Sequence, residues 1–355
     1  MILFVAHEAK LTGAPVALLN FLRWLRRASP LDFSVVVGTD GPLVERFSAL
    51  APVTAATDCG PDLVGRADLV YANSTASHSL LDALDAFAAP VLSHVHELRA
   101  GLAPVDVLRA GKRPTHYIAV SNQVRDVLVT DYPIAPDEVT VCEGFVWTDD
   151  VTTNARTPAT DSAIWQRFGI PPGSRVVGAV GSIWPYKGPD LFVRLATAVL
   201  TGPRAPADVH FVWIGGSDDR IPIMQGWIDD AGLGDRVHVL GEIDQPYPLI
   251  AALEVFVVPS REDPFPLVLL EAGTLARCAV AFDAGGASQL LAEDRGILVE
   301  CFDIESMAAT IAHLLRHPDR RAELGARLAA HVCVEHDTQR RAPDILKTIL
   351  QVLPG

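Results

Sequence analysis

Pro259-Ser260-Arg261-Glu262-Asp263-Pro264-Phe265-Pro266-Leu267-Val268-Leu269-Leu270-Glu271-Ala272-Gly273 reads as the end of a strand, a polar turn and an apolar helix. The short β-branched run Val255 to Val258 leads into it, and three prolines with the charged triplet Arg261-Glu262-Asp263 mark the turn. Pro266 suits the first position of a helix, where its missing N–H would have no partner, and the amides of Leu267 and Val268 then face outward toward an anion. Glu271 lies inside the apolar helix, where an unpaired carboxylate is costly. It needs either a hydroxyl, such as those of a ligand ribose, or a cation, such as Arg277. A strand feeding a helix through a polar turn is part of a βαβ unit, which makes a parallel α/β sheet the expected fold.

The same pattern extends in both directions. Upstream and downstream in the second half, Val176 to Val180, Val209 to Ile214, Val237 to Leu240 and Ala279 to Phe282 are strands, each followed by a helix or turn signal. In the first half Ile2 to Ala6, Ser34 to Val37, Leu69 to Ala72, Val91 to His94 and Tyr117 to Val120 alternate with helical patterns. The polar, Thr- and Asp-rich segment from Val146 to Asp161 reads as a linker. The expected domains are 1–155 and 156–335, both Rossmann-like, with 336–355 a C-terminal helix able to return to the first. Two doubly wound domains facing a central cleft would gather their strand C-termini, where such sheets bind ligands.

Further motifs stand at strand ends. Gly181-Ser182-Ile183-Trp184-Pro185-Tyr186-Lys187-Gly188-Pro189-Asp190 places a lysine beside a flexible glycine, a point charge that can reach a phosphate oxygen. Phe282-Asp283-Ala284-Gly285-Gly286-Ala287-Ser288-Gln289 lets backbone approach a ligand closely, or is an ordinary tight turn. In the first half Thr12-Gly13-Ala14-Pro15 opens a helix with apolar Val16, Leu18, Leu19, Leu22 and Leu25, and is either a ligand loop or a plain helix start. Arg23, Trp24, Arg26 and Arg27 on that helix form either a solvated basic face or a contact for an anionic membrane. In Leu92-Ser93-His94-Val95-His96-Glu97-Leu98, strand alternation sends both histidines to one face. These residues read as packing groups, as cleft groups or, with Glu97, as a metal triad; no helix supplies a His-x-x-x-His partner. Ser121, before Asn122, N-caps the helix that follows Val120.

With 355 residues the chain exceeds a usual single domain. Its 29 Lys and Arg against 43 Asp and Glu leave a formal charge of −14, which argues against a general nucleic-acid binder and requires that any phosphate site be built locally. Half of the residues, 49%, are hydrophobic, so large cores are expected rather than disorder. Cys59, Cys142, Cys278, Cys301 and Cys333 are odd in number and dispersed, matching neither a disulfide framework nor a zinc module. The opening Met1-Ile2-Leu3-Phe4-Val5-Ala6 has no basic leader and reads as a strand, and no run of about 18 uncharged apolar residues occurs. A cytoplasmic location without a transmembrane span is expected.

The Asp263 to Glu271 block, an acidic residue, seven residues and Glu, resembles the signature of the retaining family 4 glycosyltransferases (glycosyl transferases group 1) of GT-B architecture. The family usually has Glu where Asp263 stands and Gly where Pro266 stands. The resemblance implies that Asp263 touches the donor sugar, with Glu262 one residue away, and that Glu271 holds the nucleotide ribose. Gly181 to Gly188 is similar to the family's glycine-arginine…lysine-glycine motif, with Lys187 on the diphosphate, Ser182 at the arginine position and Arg261 as the substitute. The Gly285-Gly286 turn is similar in part to its Gly-Gly-x-Pro-Glu motif. Gly13 resembles its N-terminal glycine loop, and His96 its cleft histidine.

The resemblance thus implies an enzyme of hexosyltransferase type that moves a sugar from a nucleotide-sugar donor to an acceptor. Its catalytic set is His96, Lys187 and Asp263. Donor contacts fall to Gly13, Lys187, Arg261, Glu262, Asp263, Phe265, Pro266, Leu267, Val268 and Glu271, and acceptor contacts to Thr12, Gly13, Ser121 and Asn122. No metal and no cofactor is expected, and the acceptor is a small molecule, a glycan or a lipid-linked group. Two alternatives stand beside it: a non-catalytic nucleotide-sugar-binding relative, and a Rossmann oxidoreductase, for which His7 to Pro15 lacks the Gly-x-Gly-x-x-Gly fingerprint.

Overall fold

The computed structural model describes residues 1–83, 88–99, 114–132, 134–156, 161–202 and 207–354. They form two compact units, Met1–Val146 with His336–Gly355, and Trp147–Glu335.

In the first unit β1 (Ile2–Ala6), β2 (Phe33–Val37), β3 (Val53–Ala55), β4 (Leu69–Asn73), β5 (Val91–Val95), β6 (His116–Ala119) and β7 (Val139–Val141) form one parallel sheet in the order β3-β2-β1-β4-β5-β6-β7. Every residue of β1, β2, β4 and β5 is buried, as a sheet covered on both faces requires. Phe4 meets Phe21 and Phe33 edge-on, with ring centroids 6.1 and 5.6 Å apart. Burying each ring contributes roughly 2–3 kcal/mol before entropy. The strand order reverses between β1 and β4, so the chain leaves their C-terminal ends in opposite directions and opens a crevice there.

The helix Gly13–Ala28 covers this sheet with Leu18, Leu19, Phe21, Leu22 and Leu25. Trp24, read from the sequence as part of a basic face, is buried, and its indole N–H donates to Gln339 Oε1 at 3.2 Å. Gln339 sits in the last helix, Thr338–Val352, which packs on Gly13–Ala28 within the same unit. Arg26 and Arg27 remain exposed, and no helix among the described residues is long and apolar enough to cross a membrane.

In the second unit β8 (Arg175–Val180), β9 (Val209–Ile214), β10 (Val237–Val239), β11 (Val255–Val258), β12 (Ala279–Phe282) and β13 (Ile297–Val299) are parallel in the order β10-β9-β8-β11-β12-β13. The reversal falls between β8 and β11. Phe192 packs on Phe211 and Trp213 in the core, at 5.7 and 5.3 Å between centroids. Trp213 also donates its indole N–H to the Gly181 carbonyl at 2.9 Å, tying the loop after β8 to the core.

Three short strands, β3, β7 and β13, have no counterpart in the sequence reading; three residues each are too few to show a period. The expected linker is a second difference. Thr148–Ala155 is a helix of the second unit, with Val151 buried and with contacts to the helices Tyr247–Ala251 and Leu267–Thr274. Its Thr and Asp content lowers helix propensity and hid it, while Asp149 and Asp150 suit the positive end of the helix dipole. The chain therefore passes between units at Val146–Trp147, upstream of residue 155. Residues 157–160 of that expected linker lie outside the described residues.

Candidate functional site

The switch point of the second unit gathers the three blocks that were picked out by their turns. Lys187 Nζ lies 2.7 Å from Asp263 Oδ2, joining the loops after β8 and β11 across 76 residues of sequence. Asp263 is buried and Lys187 is 23% exposed, so the pair sits at the edge of solvent. The backbone docks the loops more tightly still. The amides of Arg261 and Glu262 both donate to the Tyr186 carbonyl, at 2.8 and 3.2 Å. Gly188 has φ +72°, and a Cβ there would stand 2.0 Å from the Pro259 carbonyl oxygen.

The third block joins through Gly286, whose amide donates to the Asp263 carbonyl at 3.0 Å. Gly285, at φ +59°, would put a Cβ 1.8 Å from that same oxygen. Both glycines are required by close approach of backbone, which fixes Asp263 from two sides.

Pro266 is not the first helical residue but the N-cap of Leu267–Thr274, with ψ 101°. Leu267 and Val268 are then the first two helical residues, positions whose amides an α-helix leaves without an intrahelical acceptor. Phe265 is buried against Gly286. Glu271 sits in the middle of this helix at 9% exposure, and burial pushes its carboxyl up to about 8. The alternative of a Glu271–Arg277 ion pair is not what forms: among the described residues no cation pairs with Glu271, while Arg277 donates to the carbonyls of Leu275 and Leu253.

Arg261, expected as a substitute diphosphate clamp, is already engaged. Its two terminal nitrogens pair with Asp190 at 2.7 and 2.6 Å, and one of them also donates to the Pro185 carbonyl. This fork holds the 184–188 loop against the 259–263 turn. Ser182, on the loop after β8, is partly exposed beside the buried Ile183.

The switch point of the first unit brings together two histidines and an asparagine. His94 and His96 stand on one face, with ring centroids 4.1 Å apart. Tyr71 OH lies 2.6 Å from His94 Nδ1, while His94 Nε2 is buried without a partner. Burial, with His96 beside it, pushes His94 well below its ordinary range; burial, with His7 nearby, pushes His96 down to about 3. His96 Nε2 meets Asn73 Oδ1 at 3.2 Å, and Asn73 Nδ2 donates to the Ala14 carbonyl at 2.9 Å.

Glu97 does not turn toward the histidines. Its carboxylate accepts from the Ser74 hydroxyl, the Thr75 amide and the His96 amide, and so holds Ser74 at φ +79°. No three or more His, Cys, Asp and Glu side chains are placed to share a metal among the described residues.

Around Gly13, the Thr12 hydroxyl donates to Glu8 Oε1 at 2.7 Å rather than capping the helix. Hydrogen bonds from His7 and Thr12 overcome burial and lower the Glu8 carboxyl to about 2. Gly13 opens onto free space, with nothing within 4 Å of a built Cβ. Ser121 caps its helix by accepting from the Val124 amide at 3.2 Å and is buried, while Asn122 beside it is exposed. Sequence reasoning missed Asn73, Glu8 and Asp190. For Glu8 the signal was its i, i+4 spacing to Thr12; Asn73 and Asp190 acquire their partners only through folding.

Residues 174–317 match the family described as Glycosyl transferases group 1. Over 224 residues the chain is 30% identical to the D-inositol 3-phosphate glycosyltransferase of Thermobispora bispora, covering 60% of this chain and 51% of that protein. It is 31% identical over 183 residues to the alpha-D-kanosaminyltransferase of Streptomyces kanamyceticus, covering 51% and 46%. The chain spans about half the length of the curated relatives it matches. Among solved structures, Anabaena Alr3699/HepE in complex with UDP-glucose aligns with a TM-score of 0.83 over 99% of both chains at 20% identity. WaaG, a glycosyltransferase involved in lipopolysaccharide biosynthesis, aligns with a TM-score of 0.76 over 98% of this chain and 99% of its own at 14% identity. The fold is that of the GT-B glycosyltransferases.

Proposed function

We propose, from the match of residues 174–317 to the glycosyl transferases group 1 family, that the chain is a retaining glycosyltransferase that moves a sugar from a nucleotide-sugar donor to a hydroxyl acceptor without a metal ion. The observation that carries the reading is Glu271. Among the described residues this carboxyl has no cationic partner, and burial alone raises it to about 8, the setting in which a hydrogen-bonding ligand is favoured. A ribose diol supplies two hydroxyls of the right kind, and their hydrogen bonds would favour the ionised carboxylate. Asp263, which Lys187 meets, stands in the turn just upstream of the same helix, whose first amides at Leu267 and Val268 can receive a diphosphate.

In this reading Lys187 and the helix N-terminus stabilise the negative charge that grows on the departing diphosphate, which is where an enzyme gains rate rather than mere affinity. Lys187 turns toward the phosphate while Asp263 faces the sugar ring. No side chain is assigned as a covalent nucleophile. His96, neutral at working pH, offers a hydrogen bond to a sugar hydroxyl without adding positive charge beside an oxocarbenium-like sugar.

The test has two steps. Thermal unfolding with UDP, GDP, ADP and dTDP should show a rise in melting temperature with one of them, because a ligand that binds only the folded state stabilises it. Incubation with the matching α-linked nucleotide-sugars and a panel of hydroxyl acceptors in excess EDTA should then yield an α-linked product by NMR. Nucleotide binding without turnover would favour the non-catalytic reading, and a β-linked product would refute retention.

A further inference from the structure

Asn73 ends β4 at the switch point of the first unit, fully buried, with both ends of its amide engaged. One end meets the Ala14 carbonyl at 2.9 Å and the other meets His96 Nε2 at 3.2 Å. A backbone carbonyl only accepts, so the group facing Ala14 is the amide NH2 and the group facing His96 is the amide oxygen. An oxygen in turn only accepts, so His96 Nε2 must carry the proton. Because the ring is neutral, it has a single proton to place, and Nδ1 is left as a bare lone pair. Nδ1 has no hydrogen-bond partner among the described residues, and the ring is partly exposed. The main chain of His96 is pinned by Glu97, and the His94 ring, held by Tyr71, lies against one side of it.

We propose that Asn73 is a positioning residue for sugar transfer: it locks His96 in the Nε2–H tautomer and thereby presents Nδ1 as an acceptor for a sugar hydroxyl, while the same amide ties the ring to the first turn of the helix Gly13–Ala28. The hydroxyl rests on the glycosyltransferase reading; the tautomer does not. An acceptor-only nitrogen accepts from a hydroxyl proton and offers nothing to a group that can only accept, such as an ether oxygen or a fluorine. The Ala14 contact adds a second effect, since it couples the start of the helix Gly13–Ala28 to the histidine.

The experiment is an imidazole 1H–15N correlation on the 15N-labelled full chain, with His96 assigned by loss of its signals in His96→Gln. The wild-type ring should show a protonated Nε2 and an unprotonated Nδ1. Asn73→Asp keeps an acceptor toward Nε2 and should keep that tautomer, whereas Asn73→Ala should lose it and lower kcat by about tenfold, the worth of one hydrogen bond, with nucleotide affinity unchanged. A wild-type ring protonated at Nδ1 overturns the proposal without any variant having to fold. So does Asn73→Ala with the Nε2–H tautomer intact, or with the tautomer lost and kcat unchanged. A chain that transfers no sugar from any nucleotide donor refutes the function proposed above and with it the hydroxyl contact, and the spectrum still decides the tautomer.

Discussion

The two units share a topology and differ in what they place at its reversal. In the first, the strand ends present an amide and imidazoles driven below their ordinary range by burial: Asn73, His94 and His96. In the second they present an ion pair, Lys187 with Asp263, and a carboxyl raised to about 8, Glu271. The same desolvation acts in both and removes charge from the histidines as it removes it from Glu271. The backbone differs in one respect: Gly188 and Gly285 are wedged against carbonyl oxygens at left-handed φ, whereas Gly38 and Gly41 of the first unit meet the carbonyls of His7 and Ala9 without it and Gly13 faces empty space. The second unit thus carries its ion pair on loops locked by backbone contact, while the first carries its histidines beside an open Gly13.

The sharpest way to break that contrast is Gly188→Ala. A left-handed φ and a Cβ 2.0 Å from the Pro259 carbonyl should together cost on the order of 4 kcal/mol, read by urea unfolding. A loss below about 0.5 kcal/mol would show that the loop yields freely and is not wedged.

Glu271→Gln comes next and has a sign that depends on pH. The carboxyl has an ordinary value of 4.5 and about 8 in the fold, so the native state holds its proton more tightly. Stability from this group is fully present below about 4.5 and is lost as pH rises toward about 8. The glutamine variant has no such loss. At pH 8.5 it should exceed the wild type by roughly 4–5 kcal/mol relative to their difference at pH 4, while binding nucleotide more weakly. Parallel stability curves across that range would mean that Glu271 is not strained by burial.

Lys187→Ala should cost about 2 kcal/mol, less than a fully enclosed pair, because it leaves buried Asp263 without its cation at a site the solvent partly reaches. The double variant with Asp263→Ala should recover most of that loss in a thermodynamic cycle. If the single and double variants are equally unstable, the pair is not what holds the two loops.

The smallest effect on the fold belongs to Gly13→Ala. With nothing within 4 Å and a first-turn helical position, the added methyl should change stability by less than ~0.5 kcal/mol, in either direction. Nucleotide affinity or turnover should nevertheless fall, since the methyl would occupy the space in which a ligand approaches the backbone. Unaltered binding and turnover would remove Gly13 from the site, and a large loss of stability would erase the contrast between the units.

Much of this was legible along the chain. Ile2–Ala6, Val209–Ile214, Val255–Val258 and Ala279–Phe282 are strands with the bounds their apolar runs suggest, because a strand buried on both faces must be apolar throughout. Lys187, Asp263 and the Gly285-Gly286 turn were marked by local punctuation. Their mutual contact was not, since Lys187 and Asp263 are 76 residues apart. Asn73 carried no signal of its own; its partners lie 59 and 23 residues away. Arg261 misled because an arginine in a polar turn looks free until Asp190 is seen beside it.

The sequence by itself determined two α/β units, the strands that center them and the loops that carry polar residues, because periodicity, prolines and glycines act over a few bonds. It also determined that Glu271 would need a partner, because a carboxylate within an apolar helix is costly wherever the helix goes. Only the tertiary structure decided that no cation among the described residues provides one, that Arg261 is bound to Asp190, and that the Asn73 amide meets Nε2 of His96. Hydrogen-bond donors and acceptors are fixed by residue type, but their pairing depends on which strand ends lie side by side, and strand order is set by packing of the whole sheet.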